Sequence, residues 1–368
     1  MATQARMYDR NDPDESAKLF AGRAVVGSDG KLAAAADVNT TGAIVVPKYE
    51  PEIIDLIKRK SAVLQRLKDK NRWVPTTGLP HRFFEQTAVV AATATDIRNI
   101  VPTPGGPTRV ERNASIKGAT SQSNFGLADV MATKAQGGSF AALEAKDIAD
   151  IATGIRRLQA KMFWLGAAPT IDDTGNVEWC GVIRQLAASA SHIVILDTVV
   201  AHDSLIDGIQ NTTAAVLNNI DFDPSPSAVW SNGELISKIE KEARTSAYHM
   251  NEEEFTYGVR VTSVQTQAGK LPLAQDPNLR KLTVAEAKSI FGILDANVPV
   301  GATGMFLVVI MDESKIELPY LNLDGDDTPM IFQLGLLAGL QGQFVGIAFS
   351  SVAVQCAAYD HGLIGVWV

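Results

Sequence analysis

The chain is 368 residues long, 46% hydrophobic and 20% charged, with a formal net charge of -8 and only two cysteines. That length allows two domains or one elaborated domain, and the apolar fraction suffices for a sizeable core. The acidic balance excludes a protein whose main task is gripping nucleic acid, which needs clustered Lys and Arg, and Cys180 and Cys356 are too few for a disulfide framework or a cysteine zinc site.

The cysteines fit buried small hydrophobes in a reducing compartment. The opening stretch MATQARMYDRNDPDE carries charges and no apolar core, so it reads as neither signal peptide nor anchor and points to folding in the cytoplasm. Residues 1 to about 42 offer little to bury and predict an arm that orders only against a partner. GAIVVP, Gly42 to Pro47, predicts a short strand. A helix follows from Glu50 to about Asn71, with Pro51 in its first turn and an apolar stripe of Ile53, Leu56, Ile57, Leu64 and Leu67.

Between Arg72 and Gly118 the composition changes. Pro75, Pro80, Pro102, Pro104 and Pro107 punctuate the stretch, and over residues 70–120 seven basic residues stand against three acidic ones. Three readings fit: a functional loop, a disordered segment, or a two-stranded ribbon reaching out of the body and needing a neighbour.

From Ser139 to about Gly166 the spacing predicts one long amphipathic helix, capped by Ser139. Its stripe is Ile148, Ile151, Ile155, Leu158, Met162 and Leu165. The DDTGN turn at Asp172 to Asn176 then opens a mixed α/β region. Helices are predicted over Gly208–Asn219, Gly233–Ala243 and Thr283–Leu294, the last capped by Thr283. Strands are predicted over Ala228–Asn232, Gly258–Gln265 and Met305–Asp312. From 195 to 329 the chain carries 20 acidic and 9 basic residues, the opposite sign to the stretch at 70–120.

The run from Thr328 to Tyr359 contains no charged residue. Burial in lipid, in a core or against a partner would each accommodate it. Lipid is the weakest candidate: Gln333, Gln341, Gln343 and Gln355 interrupt the run, glycines weaken a long helix, and no basic cluster flanks it. Gln343 to Val354 suits a strand covered on both faces.

No chemical site is legible. The five histidines are scattered without helical ligand spacing. NLDGDD, Asn322 to Asp327, lacks the glycine and the bidentate glutamate of a calcium loop and reads as an acidic turn. Glu252, Glu253 and Glu254 read as a solvated loop. No phosphate loop or nucleophile elbow occurs. No cofactor, metal or catalytic residue is assigned.

The order of these elements resembles the major capsid protein of tailed phages, the Hong Kong 97-like fold. GAIVVPKYEPEIIDLIKRKSAVLQRL is similar to that family's passage from arm to first helix, AVWSNGELISKIEKEA to its axial-domain strand and helix, and QFVGIAFSSVAVQCAAYDHGLIGV to its closing strands. The resemblance implies an α+β fold with an N-terminal arm at 1–46 and an extended loop at 72–118. The peripheral domain would comprise 47–71 and 119–190, with a spine helix at 139–166. An axial domain would follow at 191–327, and closing strands of the peripheral domain at 328–368, packed beneath the spine helix so that Ile151, Ile155 and Leu158 meet Gln343–Val354.

It further implies a non-enzymatic homo-oligomer of hexamers and pentamers in an icosahedral shell around double-stranded DNA, bound without sequence specificity. Such a subunit resides in the virion, is assembled in the host cytoplasm and does not enter a membrane. Implied partners are a separate scaffolding protein, a portal and a possible cement protein. Lys117 and Lys134 lie near the region where some relatives cross-link, but no matching asparagine context accompanies them. Because a basic loop and an acidic body favour register across an interface, Arg98, Arg109 and Arg112 are the candidate inter-subunit contacts. Two alternatives stand beside this reading: an encapsulin-like compartment shell, and an α+β cytoplasmic enzyme with an unrecognised site.

Overall fold

The computed structural model describes residues 61–95, 98, 105–126, 140–189, 192–219, 222–245, 251–256, 259–321, 331–336 and 341–368. The arm, the GAIVVP strand, Ser139, Lys134 and the NLDGDD turn lie outside the described residues.

α1 (Ala62–Asp69) is the described part of the helix expected from Glu50. It stops where the sequence suggests: the Lys70 N–H returns to the Arg66 carbonyl, and Asn71 takes a left-handed φ of 56°, which asparagine tolerates better than most residues. β1 (Trp73–Thr76), β2 (His81–Ala88), β3 (Thr108–Ala114) and β4 (Lys117–Gly126) follow. Of the three readings left open for 72–118, the ribbon is adopted by residues 81–88 and 108–114, while β1 pairs parallel with β11. β2 and β3 pair antiparallel from His81↔Ala114 to Ala88↔Thr108 and form a two-stranded sheet of their own.

α2 (Phe140–Leu165) has 26 residues and runs for about 39 Å. It ends at a tight crossing, where a Cβ on Gly166 would meet the Trp179 carbonyl at 2.2 Å and one on Gly181 would meet the Gly166 nitrogen at 2.5 Å. Only glycine lets the two backbones approach this closely. The remaining elements are α3 (Val182–Ser189), β5 (Ile193–Asp197), α4 (Leu205–Leu217), β6 (Ala228–Ser231), α5 (Gly233–Thr245), β7 (Asn251–Thr256), β8 (Val259–Thr266), β9 (Gly269–Gln275), α6 (Val284–Phe291), β10 (Met305–Met311), β11 (Ile316–Leu321), β12 (Ile331–Leu336), β13 (Gln341–Ser350), β14 (Ala353–Val354) and β15 (Gly362–Trp367).

Local signals set several of these boundaries. Ser204 caps α4 by accepting from the Asp207 N–H, which starts the helix three residues before the expected Gly208. Asn232 accepts from the Glu234 N–H and turns β6 into α5. Thr283 and Glu286 form a reciprocal capping box on α6, which ends at Gly292 with φ 64°, short of the expected Leu294. Glu252 to Glu254 fall in β7, paired with β8, and not in a solvated loop: backbone pairing overrides the low strand propensity of glutamate.

Two sheets organise the body. One runs β5-β15-β10-β6-β9-β8-β7; the other runs β1-β11-β13-β12, with β4 on the far side of β13 and β14 on β11. β10 is buried throughout, and its side chains alternate between two cores. Met305, Leu307, Val309 and Met311 join a core with α1, α3 and the end of α2, whereas Phe306, Val308 and Ile310 join one with α4 and α5. This two-residue period explains why the strand is apolar at every position.

A third core seats α2 on the other sheet: Ile151 and Ile155 pack with Ala119, Phe344 and Ala348, with Ile148 at the edge. The expected contact of α2 with Gln343–Val354 is therefore made by Ile151 and Ile155. Leu158 is the exception. It is 36% exposed, because the helix turns that position away from the sheet while the neighbouring Gln159 points in and donates to Ser350 Oγ at 2.9 Å.

The uncharged C-terminal run forms strands, but the 328–368 stretch does not stay together. β12 and β13 belong to the sheet under α2, whereas β15 sits between β5 and β10 in the seven-stranded sheet. Ladder pairing from Met305↔Trp367 to Ile310↔Gly362 draws the chain end there.

Candidate assembly surfaces

The ribbon has two different faces. Along β2 the residues alternate between half-buried and exposed, with His81, Phe83, Glu85 and Thr87 turned toward the body and Arg82, Phe84, Gln86 and Ala88 outward. The inward face is tethered at two points, and the chain just beyond β3 at two more. Glu85 accepts from the Cys356 N–H at 3.0 Å, and His81 lies 3.5 Å from Glu317. Just beyond β3, the Ser115 N–H donates to the Ile171 carbonyl, and Lys117 Nζ donates to the Asn176 carbonyl at 2.6 Å. The His81 hydrogen bond holds the Glu317 carboxyl below its usual range, against partial burial.

The outward face is amphipathic. Phe84 is 72% exposed and stands opposite Glu111. Arg82 reaches Glu111 at 3.3 Å, and Arg109 pairs in register with Gln86. Val89, 73% exposed, continues the apolar surface past the end of β2. An aromatic ring held out among arginines has the composition of an interface core.

Of the three candidate contact residues, Arg109 is exposed on this outward face, and Arg98 is exposed farther along the segment between β2 and β3. Arg112 differs. It sits opposite the inward Phe83, and its Nε lies 3.2 Å from Glu85 Oε2, so it stiffens the ribbon's own base. The three arginines are thus not one cluster. Phe84 and Glu85 were not singled out from the sequence, although the alternation in HRFFEQTA, with two adjacent phenylalanines, already requires one of them to face outward.

Beneath the ribbon lies a cleft of about 440 Å³ lined by Phe83, Glu85, Cys180, Gln185, Cys356 and Tyr359, among others. Both thiols are free. Burial pushes Cys180 up to about 12 and Cys356 to about 11, so each stays a neutral thiol and not a nucleophile. Gln185 joins the walls: its Nε2 donates to the Cys180 and Val352 carbonyls, and its Oε1 accepts from the Val354 N–H.

The chain crosses between the two sheets at β10–β11 and again at β14–β15, and buried polar groups hold these crossings. Glu313 is fully buried and receives Arg66, Lys70 and the Ser227 hydroxyl. His361, also buried, accepts at Nδ1 from the Asp312 N–H, and its Nε2 meets the Gln355 carbonyl at 3.1 Å. A carbonyl only accepts, so Nε2 carries the proton and the ring is neutral. Burial lowers its pKa to about 4. Among the described residues no group of His, Cys, Asp or Glu could hold a metal ion, and no helix is long and apolar enough to cross a membrane.

No protein-family profile matches the sequence, and no curated protein matches it. Solved structures do match across nearly the whole chain. A subunit of an encapsulin complex from Synechococcus elongatus matches with a TM-score of 0.55 at 11% identity, covering 91% of this chain and 95% of that one. The capsid of a native GTA particle gives 0.53 at 9% identity, covering 88% and 95%. A chain from Mycobacterium phage Ogopogo gives 0.52 at 12% identity, covering 88% and 96%. The chain therefore has the α+β, Hong Kong 97-like fold shared with phage capsid and encapsulin subunits.

Proposed function

We propose that this chain is the major capsid protein of a tailed phage, a structural subunit that assembles with copies of itself into an icosahedral shell around double-stranded DNA. The observation that carries the reading is coverage: the likeness to shell subunits spans 88–91% of this chain and about 95% of theirs, so the shell fold accounts for nearly all of it. The six-stranded sheet with α2 corresponds to the peripheral domain and its spine helix. The seven-stranded sheet corresponds to the axial domain, now including 362–367, and the β2–β3 ribbon to the extended loop. The ribbon supports the reading further, since it holds Phe84 and Val89 in solvent where a neighbouring copy would cover them. Arg98 and Arg109 are proposed as the charged contacts of that interface, with Arg112 setting the ribbon's angle. A separate scaffolding protein, a portal and a cement protein are the partners such a shell would use, and the virion is its location.

Sedimentation of the expressed protein tests this reading. Megadalton particles are expected, and a single 39.3 kDa species under all assembly conditions, with scaffold supplied, would overturn it. The encapsulin match favours one second reading, a compartment shell without a genome. Nuclease-protected duplex DNA in particles from infected cells supports the phage reading, and particles that consistently lack it support the compartment.

A further inference from the structure

A second site lies away from the ribbon, where the end of α2, α3 and α6 meet. A cavity of about 280 Å³ there is walled by Leu165, Leu282 and Ile290 and carries Arg184, Arg280, Glu286 and Ser289 on its polar side. The two arginines differ in their partners. Arg280 is matched: its Nη1 and Nη2 reach the two Glu286 oxygens at 3.0 and 2.5 Å, and its Nη1 also donates to the Lys281 carbonyl. Glu286 is fully engaged as well, because it also receives the Thr283 N–H and hydroxyl in the capping box. Burial opposes ionisation of Glu286 only weakly, and the Arg280 hydrogen bonds hold its carboxyl down to about 2, so it stays charged and committed to Arg280.

Arg184 has no such partner. Its backbone N–H donates to the Gly181 carbonyl, but its side chain makes no hydrogen bond or ion pair among the described residues, and its Nε is buried without an acceptor. The Nε is out of a ligand's reach, so an anion would be met by the terminal nitrogens of this always-charged guanidinium. Its position is fixed, since α3 is held from its other side by Gln185. The cavity thus combines one surplus positive charge, a planar donor fork, the Ser289 hydroxyl and apolar walls, which is the chemistry that receives a carboxylate or phosphate oxyanion.

We infer that the pocket between α3 and α6 is an oxyanion site with Arg184 as its principal ligand and Ser289 as a second donor. Two sources supply that chemistry: a free inorganic anion, or a carboxylate of a second copy of this acidic chain. The second source, and only that, rests on the shell reading.

Inorganic phosphate is the probe. It is titrated at constant ionic strength against the full chain at a concentration where it sediments as single subunits, with thermal stability and ³¹P line broadening as readouts. The wild type is expected to bind phosphate saturably, and Arg184→Gln to bind it roughly tenfold more weakly, the loss of one charge-assisted hydrogen bond. Ser289→Ala is expected to weaken binding by less. A wild type that does not respond, or an Arg184→Gln variant that responds like it, overturns the site, as does non-saturable binding, which marks an adventitious ion only. Should Arg184→Gln fail to fold, the wild-type titration together with Ser289→Ala still decides. Repeating the titration on assembled particles separates the sources: a response lost on assembly assigns the pocket to a neighbour's carboxylate, and a response kept assigns it to a free anion. If no particles form at all, the shell reading fails while the single-subunit result stands.

Discussion

His361 lies between β14 and β15, where the chain passes from one sheet to the other, and both ring nitrogens are committed to backbone. Its folded pKa of about 4 lies below the ordinary 6.5, so the neutral ring stabilises the folded state above pH 6.5 and that stability is lost as pH falls from 6.5 toward 4. The full effect is about 3 kcal/mol. Asp360 acts in the opposite sense, because burial raises its pKa and acid relieves the cost of its charge. Glu286 loses its contribution only below its ordinary 4.5, where most of the histidine effect has already been lost. Urea unfolding between pH 7 and 4.5 is therefore expected to show falling stability in the wild type and a flatter profile in His361→Gln; parallel profiles would show that the ring does not titrate in this window. Asp312, Lys315 and Asp223 also lie near this pair and shape the midpoint. Glu313 presents a different case. Removing Arg66 leaves a buried carboxylate with only Lys70 and Ser227, and Arg66→Ala is expected to cost about 3 kcal/mol, read as a shift in urea midpoint.

At the scale of elements, α2 and the ribbon make separable predictions. Ile155 is 1% exposed against Phe344 and Ala348, and Leu158 is 36% exposed. Ile155→Ala is expected to lower stability by about 3 kcal/mol and Leu158→Ala by less than about 1. Equal losses in urea melts would contradict the seating of the helix. The helix itself was legible in the sequence because its apolar spacing is local. Which member of the stripe leaves the sheet was not, since Gln159 takes an inward place only through Ser350, 191 residues away. The ribbon was legible only as one of three alternatives: local alternation in β2 is clear, but nothing local pairs it with β3 across the segment between them. On its outer face, Phe84→Asp and the pair Arg98→Glu with Arg109→Glu are expected to abolish or slow assembly while leaving the subunit's melting temperature unchanged. Normal particle yield from both would remove the ribbon from the interface. Arg112→Glu is a poorer probe, because it also sets two acids against each other at Glu85 and lowers ribbon stability without reference to any neighbour.

At the scale of the whole molecule, the chain passes directly between the two sheets at β10–β11 and β14–β15, and one face of β10 shares a core with Ile316 and Leu318 of β11. The apolar character of β10 and the strand nature of the uncharged tail follow from residue type. The destination of the tail does not. β13 and β15 have similar composition, and long-range ladder register alone sends one beneath α2 and the other between β5 and β10. The same limit hid the Arg184 cavity, whose walls come from stretches more than 90 residues apart and meet only in the fold. What unifies the molecule is an extended ribbon with an exposed aromatic on a body whose fold is otherwise found in shell subunits. Negative-stain electron microscopy of the expressed chain, alone and with a candidate scaffolding protein supplied, tests that claim most directly. Closed shells with five- and six-fold rings of subunits are predicted, and a field of isolated subunits under every condition would contradict it.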